Sequence, residues 1–218
     1  MISYDDLLTI YKHPFNLVRL GFQGDGGYVV PEELINDNLL SFGIADEISF
    51  EEDYIKRVAH PNIHCFDGTI ERFPSENPLY CFHKINVGQC DTDNEVSIDT
   101  IFENYFKNQD KVFFKMDIEG SEYPSLMAMS QENLRKIDCM VLEVHGISNY
   151  ELFSNLMYKL NSELVLIHRH INECGGFFYF NGQVLSQLYE LTFVNKNHFL
   201  EKNDIDLPIE GLDFPNSN

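Results

Sequence analysis

At 218 residues and 44% hydrophobic composition, the chain has the volume for one α/β domain with a substantial core. Its 35 acidic residues against 15 Lys and Arg give a net charge of −20, which repels phosphate backbones, disfavours nucleic-acid binding and attracts small cations. No apolar run approaches the roughly 20 residues of a membrane-spanning helix, residues 1–13 (MISYDDLLTIYKH) lack the basic start of a signal peptide, and five scattered cysteines (Cys65, Cys81, Cys90, Cys139, Cys174) without a C-x-x-C pair read as reduced thiols of a cytoplasmic protein.

Residues 1–20 carry Leu7, Leu8, Tyr11 and Phe15 at helix-compatible spacing, broken by Pro14, and predict a cap packed on the domain. Residues 19–31 (RLGFQGDGGYVVP) hold a dense turn signal, Gly24-Asp25-Gly26-Gly27, before a short strand at Tyr28-Val29-Val30. The spacing is not the G-x-G-x-x-G of dinucleotide sites. It reads either as an ordinary hairpin or as glycines that let the backbone approach a ligand. Residues 39–45 (LLSFGIA) form a strand that meets Gly43, and Ser49-Phe50-Glu51-Glu52 predicts a capping box opening a helix with Phe50, Tyr54 and Val58 on its buried face. A second strand over 63–66 ends at Asp67 and Gly68. Asp67 follows Gly43 at close to the roughly 20-residue spacing at which an acid binds ribose hydroxyls in βαβ sites.

Loose alternation predicts a third strand over 79–87, and Ile98, Ile101, Phe102 and Tyr105 predict a helix over 97–106. In residues 111–123 (KVFFKMDIEGSEY) an apolar strand breaks off into Asp117, Glu119 and Gly120, with a helix to follow over 124–136. Pro124 is tolerated there as part of a first turn. A fifth strand over 139–144 ends with Glu143 and His145. An amphipathic helix over 150–160 presents Leu152, Phe153, Leu156 and Leu160, and a sixth strand over 164–167 leads into His168-Arg169-His170. Residues 177–185 read as a hairpin around Asn181-Gly182, 191–194 as a last strand, and the acidic tail after Phe199 as a loop or frayed end.

Strands alternating with helices predict a mainly parallel sheet covered by helices on both faces, with an antiparallel strand added at one edge. The expected organisation is a single domain: 1–35 as cap and Gly-rich hairpin, 36–199 as core, 200–218 as tail. In open sheets of this kind a ligand sits beyond the carboxyl ends of the strands.

The ordered set RLGFQGDGGYVVP, LLSFGIADEISFEEDY, HCFDGT, VFFKMDIEGSEY, VLEVHG and IHRHIN resembles the FkbM-type family of S-adenosylmethionine-dependent methyltransferases, over roughly residues 17–195. The resemblance implies a seven-stranded Rossmann-like sheet, S-adenosylmethionine as cofactor, and O-methylation of a small metabolite, sugar or glycan precursor. N-methylation and a non-catalytic cofactor-binding module are the alternative readings. It implies that Gly43 and Ala45 face the cofactor, that Asp67, beside Gly68, accepts from the ribose, and that Asp46 pairs with the methionyl ammonium. Asp25, Gly26, Gly27 and Tyr28 close over the cofactor; Asp117 and Glu119 stand near the transferred methyl.

His145, two residues from Glu143 and so on the same face of an extended backbone, is the first candidate for general base, because an imidazole titrates near neutrality. Asp117 and Glu143 complete the catalytic set, and His168, His170 and Asn172 are placed on the substrate side. Asp117, Glu143, His145 and His170 offer donors to a divalent ion, but without a compact ligand motif a metal is not favoured.

Overall fold

The computed structural model describes residues 3–198, 201–202 and 207–217. In chain order the elements are α1 (Tyr4–Leu7), β1 (Tyr11–Lys12), β2 (Leu17–Leu20), β3 (Tyr28–Pro31), β4 (Asn38–Phe42), α2 (Ser49–Ile55), β5 (Asn62–Phe66), β6 (Tyr80–His83), β7 (Asn86–Gly88) and β8 (Glu95–Ser97). They continue with α3 (Ile98–Tyr105), β9 (Val112–Met116), α4 (Glu122–Ala128), α5 (Gln131–Lys136), β10 (Ile137–His145), α6 (Tyr150–Leu160), β11 (Leu164–Ile171), β12 (Phe177–Phe180), β13 (Gln183–Ser186), β14 (Leu188–Asn195) and β15 (Glu201–Lys202).

The central sheet has seven strands in the order β11-β14-β10-β9-β4-β5-β6. It is mixed rather than mainly parallel: the pairs from β10 through β9, β4 and β5 to β6 are parallel, whereas β14 runs antiparallel to both β10 and β11. The antiparallel strand is therefore not at an edge, as the sequence suggested. The chain crosses over α6 to lay β11 outside, then returns through the β12–β13 hairpin to fill the gap between β11 and β10 with β14.

Alternation along the strands divides the core in two, because successive side chains point to opposite faces. Leu40, Phe42, Phe114, Met116, Met140 and Leu142 pack with residues of α3, α4, α5 and α6. Leu39, Ile63, Phe113, Cys139 and Val141 pack instead against Phe50 and Tyr54 of α2 and against Leu20, Tyr28 and Val30 of the β2–β3 hairpin. That hairpin is tied down where the Thr192 hydroxyl of β14 donates to the Val29 carbonyl at 2.7 Å.

Several local expectations change. The 1–20 cap is one short helix and strand segments, since Pro14 and the β2–β3 pairing leave no room for a longer helix. The capping box at Ser49 does not form: Ile48 is the N-cap, while the Ser49 N–H and hydroxyl both donate to Glu47, at 2.8 and 2.9 Å. The helix ends at Ile55, so Val58 lies beyond it. The third strand is split into β6 and β7, and the helix over 124–136 into α4 and α5, the latter capped by Ser130. Leu152 of α6 is exposed, and Phe153, Leu156, Met157 and Leu160 make the buried face. Of the tail expected as a loop or frayed end, residues 207–217 are a loop held against the sheet through Asp213 and Asn216, and residues 199–200 and 203–206 lie outside the described residues.

The carboxyl ends of β4 and β9 touch at backbone level. Gly43 has φ +73°, and a Cβ placed there would lie 1.5 Å from the Asp117 carbonyl oxygen. Only glycine removes both obstacles. Gly43→Ala is expected to cost more than about 3 kcal/mol, the scale of a severe backbone clash. The urea midpoint would fall at unchanged slope, and a midpoint within error of the parent protein would contradict the fit.

Candidate active site

The ends of β4, β5 and β9 open into a cleft of 670 Å³. Its walls include Ile44, Phe66, Val87 and Ile118 as apolar surface and Asp25, Asp46, Glu47, Asp67, Glu95, Asp117 and Glu119 as acids. Lys115 is the one cation on that wall among the described residues. It is buried in an otherwise apolar strand, donates to the Gly43 carbonyl at 3.0 Å and lies 3.5 Å from Glu51. Burial pulls its pKa down, but Glu51 and Asp117 more than offset this and hold it above the usual value. Glu51 itself projects from α2 under the sheet and accepts from Ser41 at 2.5 Å.

Of the residues expected at a cofactor, Asp25, Gly26, Gly43, Ala45, Asp46, Asp67, Asp117 and Glu119 line the cleft. Gly27, Tyr28 and Gly68 do not. Gly27 packs against Arg19 and the Phe22 carbonyl, and the Gly68 N–H donates to Asn86. The buried Tyr28 supports the site from beneath, its hydroxyl 3.3 Å from Asp117.

Asp67 builds the cleft floor. One oxygen accepts the N–H groups of Ile44 and Ala45, both at 2.9 Å, and the other accepts the Thr69 N–H and hydroxyl at 2.7 and 2.6 Å. Burial raises its pKa, yet these bonds win and leave it below the ordinary value. They also support Ala45 in a left-handed conformation at φ 47°, a strained state for a residue with a side chain.

Beside the cleft, the turn after β9 and the end of β10 meet around His145. Glu122, which lies in the stretch VFFKMDIEGSEY but has no role implied there, is fully buried, and its Oε1 accepts from the Ile118 and Gly120 N–H groups at 3.2 and 3.1 Å. The same oxygen lies 3.0 Å from His145 Nδ1. An oxygen already accepting two N–H groups acts as an acceptor, so Nδ1 carries hydrogen and Nε2 faces the site. Nε2 lies 3.3 Å from Glu119 and 3.4 Å from Glu143. Glu119, at φ 55°, is held left-handed by the same turn. Burial lowers the His145 pKa, but the Glu122 hydrogen bond and the charges of Glu122, Asp117 and Glu119 outweigh it, so the imidazole titrates above its ordinary value.

Asp117, Glu143 and His145 present donor atoms within 4.8 Å of one another, and so do Asp25, Glu143 and Glu190. Carboxylates this close cannot all ionise cheaply. Burial, then Asp117, Glu190 and Asp25, drive Glu143 well above the carboxylate range. Burial likewise lifts Glu190 to about 7. His170 does not join the first group, so three of the four residues considered for a divalent ion come together.

On the side expected to meet substrate, only Asn172 reaches the cluster, its amide 3.4 Å from both Asp25 and Glu143. His168 is buried against Asp213 at 3.1 Å, and His170 bonds Asn216 at 3.0 Å. Both histidines hold the C-terminal residues, which the sequence pattern left outside the site.

No helix among the described residues is long and apolar enough to cross a membrane. No curated protein matches the sequence. The sequence model of the family described as Methyltransferase FkbM domain matches residues 16–177, about three quarters of the chain, and that stretch contains the cleft, the Glu122 turn and His145. The chain therefore belongs to the FkbM methyltransferase domain family.

Proposed function

We propose that this methyltransferase uses S-adenosylmethionine to methylate a hydroxyl of a small metabolite, sugar or glycan precursor, on a Rossmann-like sheet, with His145 as general base. The observation that carries the reading is His145 Nε2 facing Glu143 and Asp117 beside the cleft, with Nδ1 fixed by Glu122. When bound, S-adenosylmethionine supplies an electrophilic methyl group on a sulfonium.

The cleft suits such a cofactor on physical grounds. Seven acidic residues and one already paired lysine favour a cation. Phe66, Ile44 and Val87 give apolar surface for a base, and Gly43 leaves the backbone bare at the ends of β4 and β9. Gly43, Ala45, Asp46 and Asp117 would hold the methionyl side. Asp67 would reach a ribose diol by exchanging the rotatable Thr69 hydroxyl bond, since both of its oxygens are engaged.

His145 does the chemistry of this chain. In its neutral form the Nε2 lone pair takes the proton of the attacking hydroxyl, and Glu122 holds the imidazole in the tautomer that allows it. The charges of Glu122, Asp117 and Glu119 stabilise the imidazolium that results. Positioning supplies the rest, because bringing nucleophile and electrophile into line replaces a bimolecular encounter.

Calorimetry should show S-adenosylmethionine binding to the parent protein, with S-adenosylhomocysteine release when a competent hydroxyl acceptor is added. His145→Ala is expected to retain cofactor binding and to lose at least about 10²-fold in kcat, the usual contribution of a general base. Asp117→Ala should lose both tight binding and turnover. Failure of the parent to bind either form of the cofactor would sink the reading, and turnover confined to amines would move it to nitrogen.

The pH profile offers a separate check. His145 must be neutral to act, and its raised pKa sets the acid limb of kcat/KM above about 6.5, the unperturbed histidine value. Glu122→Gln leaves a carbonyl oxygen that can accept from Nδ1 but removes the charge that raises that pKa. The acid limb should therefore move to lower pH, and the imidazole NMR titration of His145 should move with it. An unmoved limb would assign the base to another group.

A further inference from the structure

Residues 207–217 form a strap across the carboxyl end of β11 and the adjoining amino end of β14. The Asp213 carboxylate, 1% exposed, lies 3.1 Å from His168 Nε2 and 3.4 Å from His170 Nδ1. Arg19 donates to the Leu212 carbonyl at 3.1 Å, and its guanidinium lies over the Phe214 ring at 5.5 Å. So anchored, the strap brings Asn216 onto the carboxylates behind the cleft. Its amide nitrogen donates to Glu190 and, at 3.4 Å, to Asp25, while its oxygen faces His170 Nε2 at 3.0 Å.

Asn172 approaches the same group from the other side, donating to Asp25 and Glu143. Both carboxamides thus commit their N–H groups inside the protein. Asp25, Glu143 and Glu190 offer more lone pairs than those N–H groups fill, since even a carboxyl group that keeps its proton retains acceptor capacity. Asp25 also lines the cleft, so this wall and the cofactor space are continuous. The nearby cations are taken: Lys115 by Glu51 and the Gly43 carbonyl, Arg19 by carbonyls of Phe22, Gly24 and Leu212. The strap lies outside residues 16–177, the stretch that the family model matches.

Resting on the methyltransferase reading above, we propose that the strap forms the substrate-side wall of the active site, with Asn216 as a specificity-determining residue. The methyl-accepting substrate presents hydrogen-bond donors to Asp25, Glu143 and Glu190, either the hydroxyls of a neutral polyol or the ammonium of an amino-substituted one, and substrates bearing phosphate or carboxylate are rejected. An anion at this wall would add to the negative field that already makes Glu143 and Glu190 hold their protons, and would find Lys115 and Arg19 paired, whereas hydroxyl or ammonium donors fill the open lone pairs.

The test uses the full chain and matched acceptors: simple hexoses, their 2-amino counterparts, and the corresponding sugar phosphates and uronic acids. Binding to protein loaded with S-adenosylhomocysteine is measured by calorimetry, and methyl transfer by S-adenosylhomocysteine release. Engagement of the neutral or amino member, with the anionic partner at least about tenfold weaker, is expected, since tenfold is a modest charge penalty of about 1.4 kcal/mol. The two arms tell a polyol from an amine.

Asn216→Ala, which removes the amide that positions Glu190 and Asp25 and offsets their charge, should raise the KM for the accepted sugar about tenfold and widen the gap to its anionic partner, with cofactor affinity unchanged. Asp213→Asn, which loosens the anchor rather than the wall, should raise the same KM while leaving cofactor affinity intact. Preference for the anionic partners, no engagement of any member by cofactor-loaded protein, or an Asn216→Ala variant with unaltered KM and selectivity would each overturn the proposal. Absence of cofactor binding would instead strike the reading in the preceding section.

Discussion

Crowding carboxyl groups at one end of a sheet is expensive, and the ways in which this chain offsets that expense organise the whole site. Some of the charge is neutralised directly: Lys115 beneath the cleft serves Glu51 and the Gly43 carbonyl, and His145 sits among Glu119, Glu122 and Glu143. Some is spread over backbone N–H groups, as at Asp67 and Glu122. The rest is avoided by retaining protons, with Glu143 and Glu190 lifted by burial. Three separate devices meet within a few residues of the strand ends. The polar face of β10 and β14 can therefore be buried under a hairpin and a strap without a matching layer of cations.

Much of this was legible in the sequence, because it follows from local pattern. Apolar runs of strand length located all seven strands of the central sheet to within a few residues, and Gly43, Asp67, Asp117 and His145 stood at strand ends, where an open α/β sheet gathers its ligands. What escaped depended on partners distant in the chain. Lys115 reads as a stray polar residue inside an apolar strand until Glu51, sixty-four positions earlier, is seen to face it. Glu122 looks like ordinary first-turn acidity for α4, and its meaning comes from His145 on the next strand. The strand-end pattern could have flagged Lys115, since an unpaired buried ammonium is intolerable. It could not have named Glu51.

The errors have different causes. The edge placement of β14 was a local reading that tertiary pairing overrode, whereas the capping box lost to a neighbour in sequence. Ser49 is held by Glu47 rather than capping its helix. The acidic tail is captured because Asp213 meets two histidines whose spacing on β11 had suggested a substrate role. Sequence composition describes such a tail correctly as polar and proline-bearing; it does not say that a buried site is waiting for it.

The position of β14 has a kinetic meaning. Among the described residues β11 pairs with no sheet strand other than β14, which is made later in the chain and must slide between β11 and the already formed edge of β10. As the protein is synthesised from its N-terminus, the strands from β4 to β10 can pair as they emerge, but β11 has to wait. Until residues 188–195 are available, the edge of β10 is an open template for wrong pairing. The sheet therefore closes last on the side that bears Glu190, His168 and His170, after the strands around the cleft are in place.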